Sequence, residues 1–155
     1  MPPREARTLD TPPSLRYAAC AVSVQPPTIR VVAAVVSKDG RYLITQRRPS
    51  AVLPLLWEFP GGRVELGESD EEALKRELRE RLDAEIGVGQ LISFVSHRYE
   101  HYTIELYLYE CSLVSERISA LAVHDARWVA SCDFEDYEFT PADEASMTKL
   151  LGVES

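Results

Sequence analysis

The stretch GGRVELGESDEEALKRELRER, residues 61–81, decides how this chain is read, because it holds six glutamates and one aspartate among twenty-one residues and closes on Arg81. Pro60-Gly61-Gly62 breaks the short strand WEF sharply. A helix follows: Ser69 with Glu72 three residues on is a capping box, and Asp70, Glu71 and Glu72 complement the positive end of the dipole. The pattern predicts a helix to about Leu82. At about 100° per residue, Leu74, Leu78 and Leu82 fall within about 80° of one another and form a buried stripe. Glu77 lies about 60° to the other side of Leu74 and Glu80 about 120°, so two carboxylates leave one edge of the helix beside the core. Glu72–Arg76 and Arg76–Glu80 are also spaced for ordinary ion pairs, which describes a solvated surface helix. The glycine turn and the loop carrying Glu65 and Glu68 shift the balance: backbone carbonyls and clustered carboxylates make an oxygen-ligand set for a hard cation such as Mg²⁺.

Outward from this stretch, TIRVVAAVVSKDGRYLITQRR (28–48) reads as a hairpin with a turn at Lys38-Asp39-Gly40. GQLISFVSHRY (89–99) and YTIELYLYECSLV (102–114) read as a second hairpin, DARWVA (125–130) as one more strand. TPADEASMTKLLG (140–152) reads as a closing helix with Thr140 as cap, Pro141 in the first turn and Gly152 as stop. Residues 1–28 hold six prolines, with room for only a short strand around Tyr17–Val24, and form a Pro-rich extension ahead of a domain at 29–155. The expected fold class is α/β (α+β), a mixed β-sheet sandwiched between helices.

The whole chain, 155 residues with 45% hydrophobic and 27% charged side chains, suits one soluble domain. Its net charge of −8 argues against long nucleic acid or an anionic membrane as partner. An anionic ligand therefore needs a cationic mediator. Cys20, Cys111 and Cys132 lack metal-ligand spacing and suit a reducing, cytoplasmic location. YAACAVSV lacks a secretory core, and no segment reaches membrane-span length.

Gly62, five residues, Glu68, seven residues, then Arg76-Glu77-Leu78-Arg79-Glu80 resembles the Nudix box, and LITQRRP, LWEFPGGRVELGE, RWV and FTPADE are similar to its MutT-like branch. The resemblance covers about Ile29 to Leu151. It implies the Nudix fold and cleavage of a nucleoside diphosphate linked to another moiety, by water, with Mg²⁺ as cofactor and Mn²⁺ as a substitute. Glu77, Glu80 and the Gly61 carbonyl would be metal ligands, Glu77 also activating water. Arg76 would pair with Glu68 to hold loop against helix, and Arg47 would contact substrate. Asp143, in PAD, would face the nucleobase: ionised it favours an amino group such as that of cytosine or adenine, and protonated it can read an oxidised guanine. Taken without the resemblance, Asp143 complements the dipole of the last helix.

Two box positions depart from the pattern. Arg81 stands where the resemblance implies a second glutamate, and Asp83 stands where it implies glycine, a small change because Asp tolerates the left-handed conformation. Leu121, Ala122 and Val123 occupy a loop where another acidic ligand is implied, with Asp125 the nearest carboxylate. Arg81 lies about 20° from Leu74 and about 40° from Glu77, so its charge needs a partner: Glu77 one turn back, or substrate phosphates. His97, Tyr99 and His101 read as sheet packing, His124 as surface, Trp57 and Trp128 as core or rim.

The expected function is Mg²⁺-dependent hydrolysis of an oxidised or modified nucleoside triphosphate, such as 8-oxo-dGTP, to monophosphate and pyrophosphate in nucleotide-pool sanitation, by a monomer or homodimer. The alternatives are action on cytidine nucleotides, RNA 5′ ends or dinucleoside polyphosphates, and a nucleotide-binding module whose metal site has decayed.

Overall fold

Strand β1 (Thr28–Lys38) is the spine of the fold, and its period of two sends alternate side chains into two different cores. Val32, Ala34 and Val36 join Leu74, Leu78 and Leu82 on one side; Ala33 and Val35 join Phe59, Leu108, Phe134 and Met147 on the other. A strand buried on both faces must be covered on both, and two helices supply the cover. The computed structural model describes residues 26–151; the expected strand near Tyr17–Val24 and the stop at Gly152 lie outside them.

Asp39 and Gly40, both with positive φ (53° and 77°), turn the chain into β2 (Arg41–Gln46) as the sequence predicts. A loop leads to β3 (Trp57–Glu58), which pairs antiparallel with the end of β2. Pro60-Gly61-Gly62 does more than break that strand. Gly61–Arg63 is itself a short strand, β4, antiparallel to the first half of β1 through Val31↔Arg63 and Ala33↔Gly61.

Helix α1 (Asp70–Leu82) starts at Ser69 with both halves of the capping box formed and ends on Asp83 in the left-handed conformation. Ala73, Leu74, Leu78 and Leu82 are fully buried, and at about 1.5–3 kcal/mol for each large apolar side chain that stripe fixes the helix against β1. Strand β5 (Ile86–Arg98) begins three residues earlier than the apolar pattern suggests and pairs antiparallel with β6 (Thr103–Leu113), which in turn runs parallel to β1. Strand β7 (Asp125–Ala130) lies along β2, a 3₁₀ segment covers Ser131–Asp136, and α2 (Pro141–Leu151) closes the second face. Thr140 caps α2 by accepting from the Asp143 amide at 3.2 Å. The sheet is mixed and sandwiched between helices, as expected. No described helix is long and apolar enough to cross a membrane.

Candidate functional site

The glycine pair has a steric reason. A Cβ on Gly61 would strike the Val32 carbonyl of the neighbouring strand, and one on Gly62 would strike the Glu77 carboxylate, which passes directly over it. Strand β4 thus presses α1 so close that only a bare backbone fits under Glu77, and this holds that carboxylate at 7% exposure. Burial of a charge requires partners, and Glu77 has two. Arg81 Nε donates to its Oε1 at 2.6 Å and Arg76 Nη1 to its Oε2 at 2.9 Å.

Arg76 is the hub on this side. Its Nε and Nη2 fork onto the two Glu68 oxygens at 2.6 and 2.9 Å, Nη2 also reaches the Arg63 carbonyl at 3.0 Å, and Nη1 reaches Glu80 at 3.3 Å. Arg76 and the Glu65 amide hold the Glu68 carboxyl well below its usual range, at about 2. The Glu68–Arg76 pair expected from the sequence is therefore present. The Glu72–Arg76 pair is not made, because Glu72 turns back to accept from the Ser69 amide at 2.9 Å.

Beside this network, a cavity of about 410 Å³ is lined by Arg47, Arg48, Arg76 and Arg81 with Glu65, Glu77 and Glu80. A second cavity of about 410 Å³ has apolar walls, including Val31, Phe59, Ile104 and Leu106, and polar groups from Glu58 and Asp143. Arg47 and Arg81 line both. Arg47 is fixed there by Nε to the Val52 carbonyl at 2.7 Å and Nη1 to Glu58 at 3.1 Å.

In the apolar half the carboxyls behave in the opposite way to Glu68. Burial raises Glu58 against the pull of Arg47 and Arg81. Burial first and the charge of Glu58 second raise Asp143 to about 7, although the Thr140 hydroxyl (2.6 Å) and the Phe59 amide (3.0 Å) both donate to it. Asp143 is 5% exposed and ties the first turn of α2 to the residue after β3 through the Phe59 amide, while still lining the cavity. Tyr99 and Tyr102 stack at 5.1 Å beside a smaller recess that Asp143 also lines.

Of the residues expected from the sequence, Glu68, Arg76, Glu77, Glu80 and Arg81 meet in one network, Gly61 and Arg47 border the cleft with them, and Asp143 sits across it. Asp125 does not join them. It pairs with Arg127 at 3.0 Å on β7. The loop before it, through Leu121 and Ala122, instead donates backbone amides to the Arg81 carbonyl, closing the end of α1 and bringing Ala122 and Val123 to the arginine cavity. Glu58 and Arg48 were not singled out by the sequence. The alternation in WEF, which puts Glu58 on the face of β3 opposite Trp57, is the only local signal for Glu58.

The magnesium set implied by the resemblance is not assembled in this arrangement. Both Glu77 oxygens are taken by guanidinium groups, the Glu80 side chain is 61% exposed, and among the described residues no three His, Cys, Asp or Glu side chains converge on one point. As arranged, these donors do not fit an octahedral ion.

Residues 31–149 match the model of the NUDIX domain family. The chain is 36% identical over 118 residues to the CTP pyrophosphohydrolase of Escherichia coli K12, covering 74% of this chain and 85% of that one. It is 31% identical over 128 residues to the 8-oxo-dGTP diphosphatase of Haemophilus influenzae, covering 79% and 91%. The solution structure of the E. coli ORF135 protein superposes with a TM-score of 0.70 at 30% identity, over 83% of this chain and 91% of that one.

Proposed function

The chain belongs to the NUDIX domain family, and from that membership we propose that this Nudix hydrolase is a nucleoside triphosphate pyrophosphohydrolase releasing a monophosphate and pyrophosphate. The observation that carries the reading is the pair of joined cavities. The apolar one suits a base and sugar, the arginine-lined one suits a polyphosphate, and Arg47 and Arg81 border both where the α-phosphate would lie.

In the proposed reaction the oxygen of water bonds to the α-phosphorus, the bond from that phosphorus to the bridging oxygen breaks, and pyrophosphate leaves with the bond's electrons. The arginines offset the charge that gathers on the phosphate oxygens. Glu80 is the proposed acceptor of the water's proton. It lines the arginine cavity and has one ion pair, at Oε1, leaving its other oxygen available. Arg76 and Glu68 keep the loop after β4 against α1, and Glu77 orients both guanidiniums. Magnesium or manganese is the cofactor the family resemblance implies, although the donors as arranged do not fit the ion.

For the base, the preferred reading is an oxidised or modified purine such as that of 8-oxo-dGTP, which would make the enzyme a guardian of the nucleotide pool and hence of DNA. Asp143, raised to about 7 by burial and by Glu58, is partly protonated near neutral pH and can then donate to a keto oxygen. The second reading, a cytidine nucleotide, is supported by the name of the 36%-identical E. coli relative and by the ionised form of Asp143, which accepts from an amino group. A nucleotide panel incubated with Mg²⁺ or Mn²⁺, with pyrophosphate separated from phosphate, tests both. The expected result is pyrophosphate with 8-oxo-dGTP ahead of dGTP. CTP ahead of 8-oxo-dGTP would select the second reading, and phosphate alone, or no product from any nucleotide, would overturn both.

A further inference from the structure

We propose that Arg81 is a fixed phosphate ligand standing in place of a divalent cation: Glu77 holds it by Nε, and its two terminal nitrogens face the polyphosphate. The inference rests on the nucleotide-hydrolase reading and deepens it. Nε donates to Glu77 at 2.6 Å, which aligns the guanidinium plane, and the side chain keeps 33% exposure at the junction of both cavities. Among the described residues that side chain makes no other hydrogen bond, so Nη1 and Nη2 are available. Of the other arginines at the polar cavity, Arg76 and Arg47 are more fully spent, and Arg48 donates Nη2 to the Leu121 carbonyl at 3.1 Å. Arg76 uses Nε, Nη1 and Nη2 on Glu68, Glu77, Glu80 and a carbonyl, and Arg47 uses Nε and Nη1 on Val52 and Glu58.

A guanidinium anchored at one edge and open at the other is shaped for bidentate binding of a phosphate. It also accounts for the misfit of the metal donors. Glu77 is saturated by two cations, so an ion entering there must first displace a guanidinium from a short, part-buried pair. A chain of net charge −8 can in this way attract a polyanion with its own side chains.

The test is calorimetric titration of the full chain with inorganic tripolyphosphate in EDTA, which removes both metal and base recognition. Binding is expected for the wild type, about tenfold or more weaker for Arg81→Gln, and intermediate for Arg81→Lys, which keeps the charge but loses the fork. Arg81→Glu should lose this binding and, measured by electron paramagnetic resonance without substrate, should take up Mn²⁺ more tightly than the wild type. Thermal melting checks that each variant folds; if Arg81→Gln does not, weakening by Arg81→Lys supports the proposal and equality with the wild type overturns it. Arg81→Gln binding as tightly as the wild type, or a wild type that binds tripolyphosphate only with metal, also overturns it. Failure of the hydrolase reading looks different: no products from any nucleotide, with metal-free binding intact.

Discussion

The two halves of the cleft use the same functional group, a carboxyl, in opposite states. On the α1 side, Glu68 is held at about 2 by the Arg76 fork and Glu77 is clasped between two guanidiniums. On the α2 side, Asp143 is raised to about 7 by burial and by the neighbouring Glu58. A carboxyl next to arginines stays charged and orders cations. A carboxyl enclosed by apolar walls with another acid keeps a proton and can donate it in a hydrogen bond. On the proposed reading one half binds phosphate and the other a base, and the difference comes from neighbours rather than from the carboxyl itself.

The strongest way to break this contrast is at its polar centre. Glu77→Gln removes the charge that orders Arg76 and Arg81 and should lower kcat/KM by about 100-fold while leaving the circular-dichroism spectrum unchanged. Steady-state assay across substrate concentrations from below to above KM checks it, and an unchanged kcat/KM would remove Glu77 from the machinery. Gly62→Ala acts on the same carboxylate by steric contact. Its Cβ meets Glu77, so the variant should lose about 1–3 kcal/mol of stability in urea denaturation along with most activity.

Asp143→Asn sharpens the other half. Because the folded pKa of Asp143 lies above that of the unfolded chain, this carboxyl's contribution is fully present below about pH 4 and is lost as pH rises through about 7. Wild-type melting temperature should therefore fall between pH 5 and 8 more than that of Asp143→Asn. Glu68 has the reverse sign: its contribution is present above about 4.5 and is lost as pH falls towards 2, outside that window. Identical slopes in wild type and Asp143→Asn would mean that Asp143 is ionised throughout. The smallest effect is expected at the exposed Glu71–Lys75 pair, where Lys75→Ala should change stability by about 0.5 kcal/mol or less and leave activity alone.

Legibility in the sequence followed the same divide. Helix α1 is specified locally by Ser69, Glu72 and three leucines, and it forms where those residues predict. Arg81 was legible as a charge needing a partner, because helix geometry places it one turn from Glu77. Strand β4 was not, since Gly61-Gly62 has no strand propensity of its own and pairs only because β1 is there. The state of Asp143 was hidden for a similar reason. Burial between distant elements raises it first, Glu58 in a strand of two residues raises it further, and the backbone amide it accepts from belongs to Phe59, eighty-four residues away. Local capping and periodicity survive in a sequence; enclosure by distant walls does not.

The central claim is that one cleft joins a proposed phosphate half, ordered by glutamate–arginine pairs, to a proposed base half whose Asp143 proton comes and goes near neutrality. The most direct measurement is the ratio of kcat/KM for 8-oxo-dGTP to that for CTP, followed by pyrophosphate release from pH 5.5 to 8.5. The account predicts pyrophosphate from 8-oxo-dGTP and a ratio that falls as pH rises through about 7, where Asp143 changes from donor to acceptor. A ratio that stays flat across that range, or no pyrophosphate from either nucleotide, would contradict it.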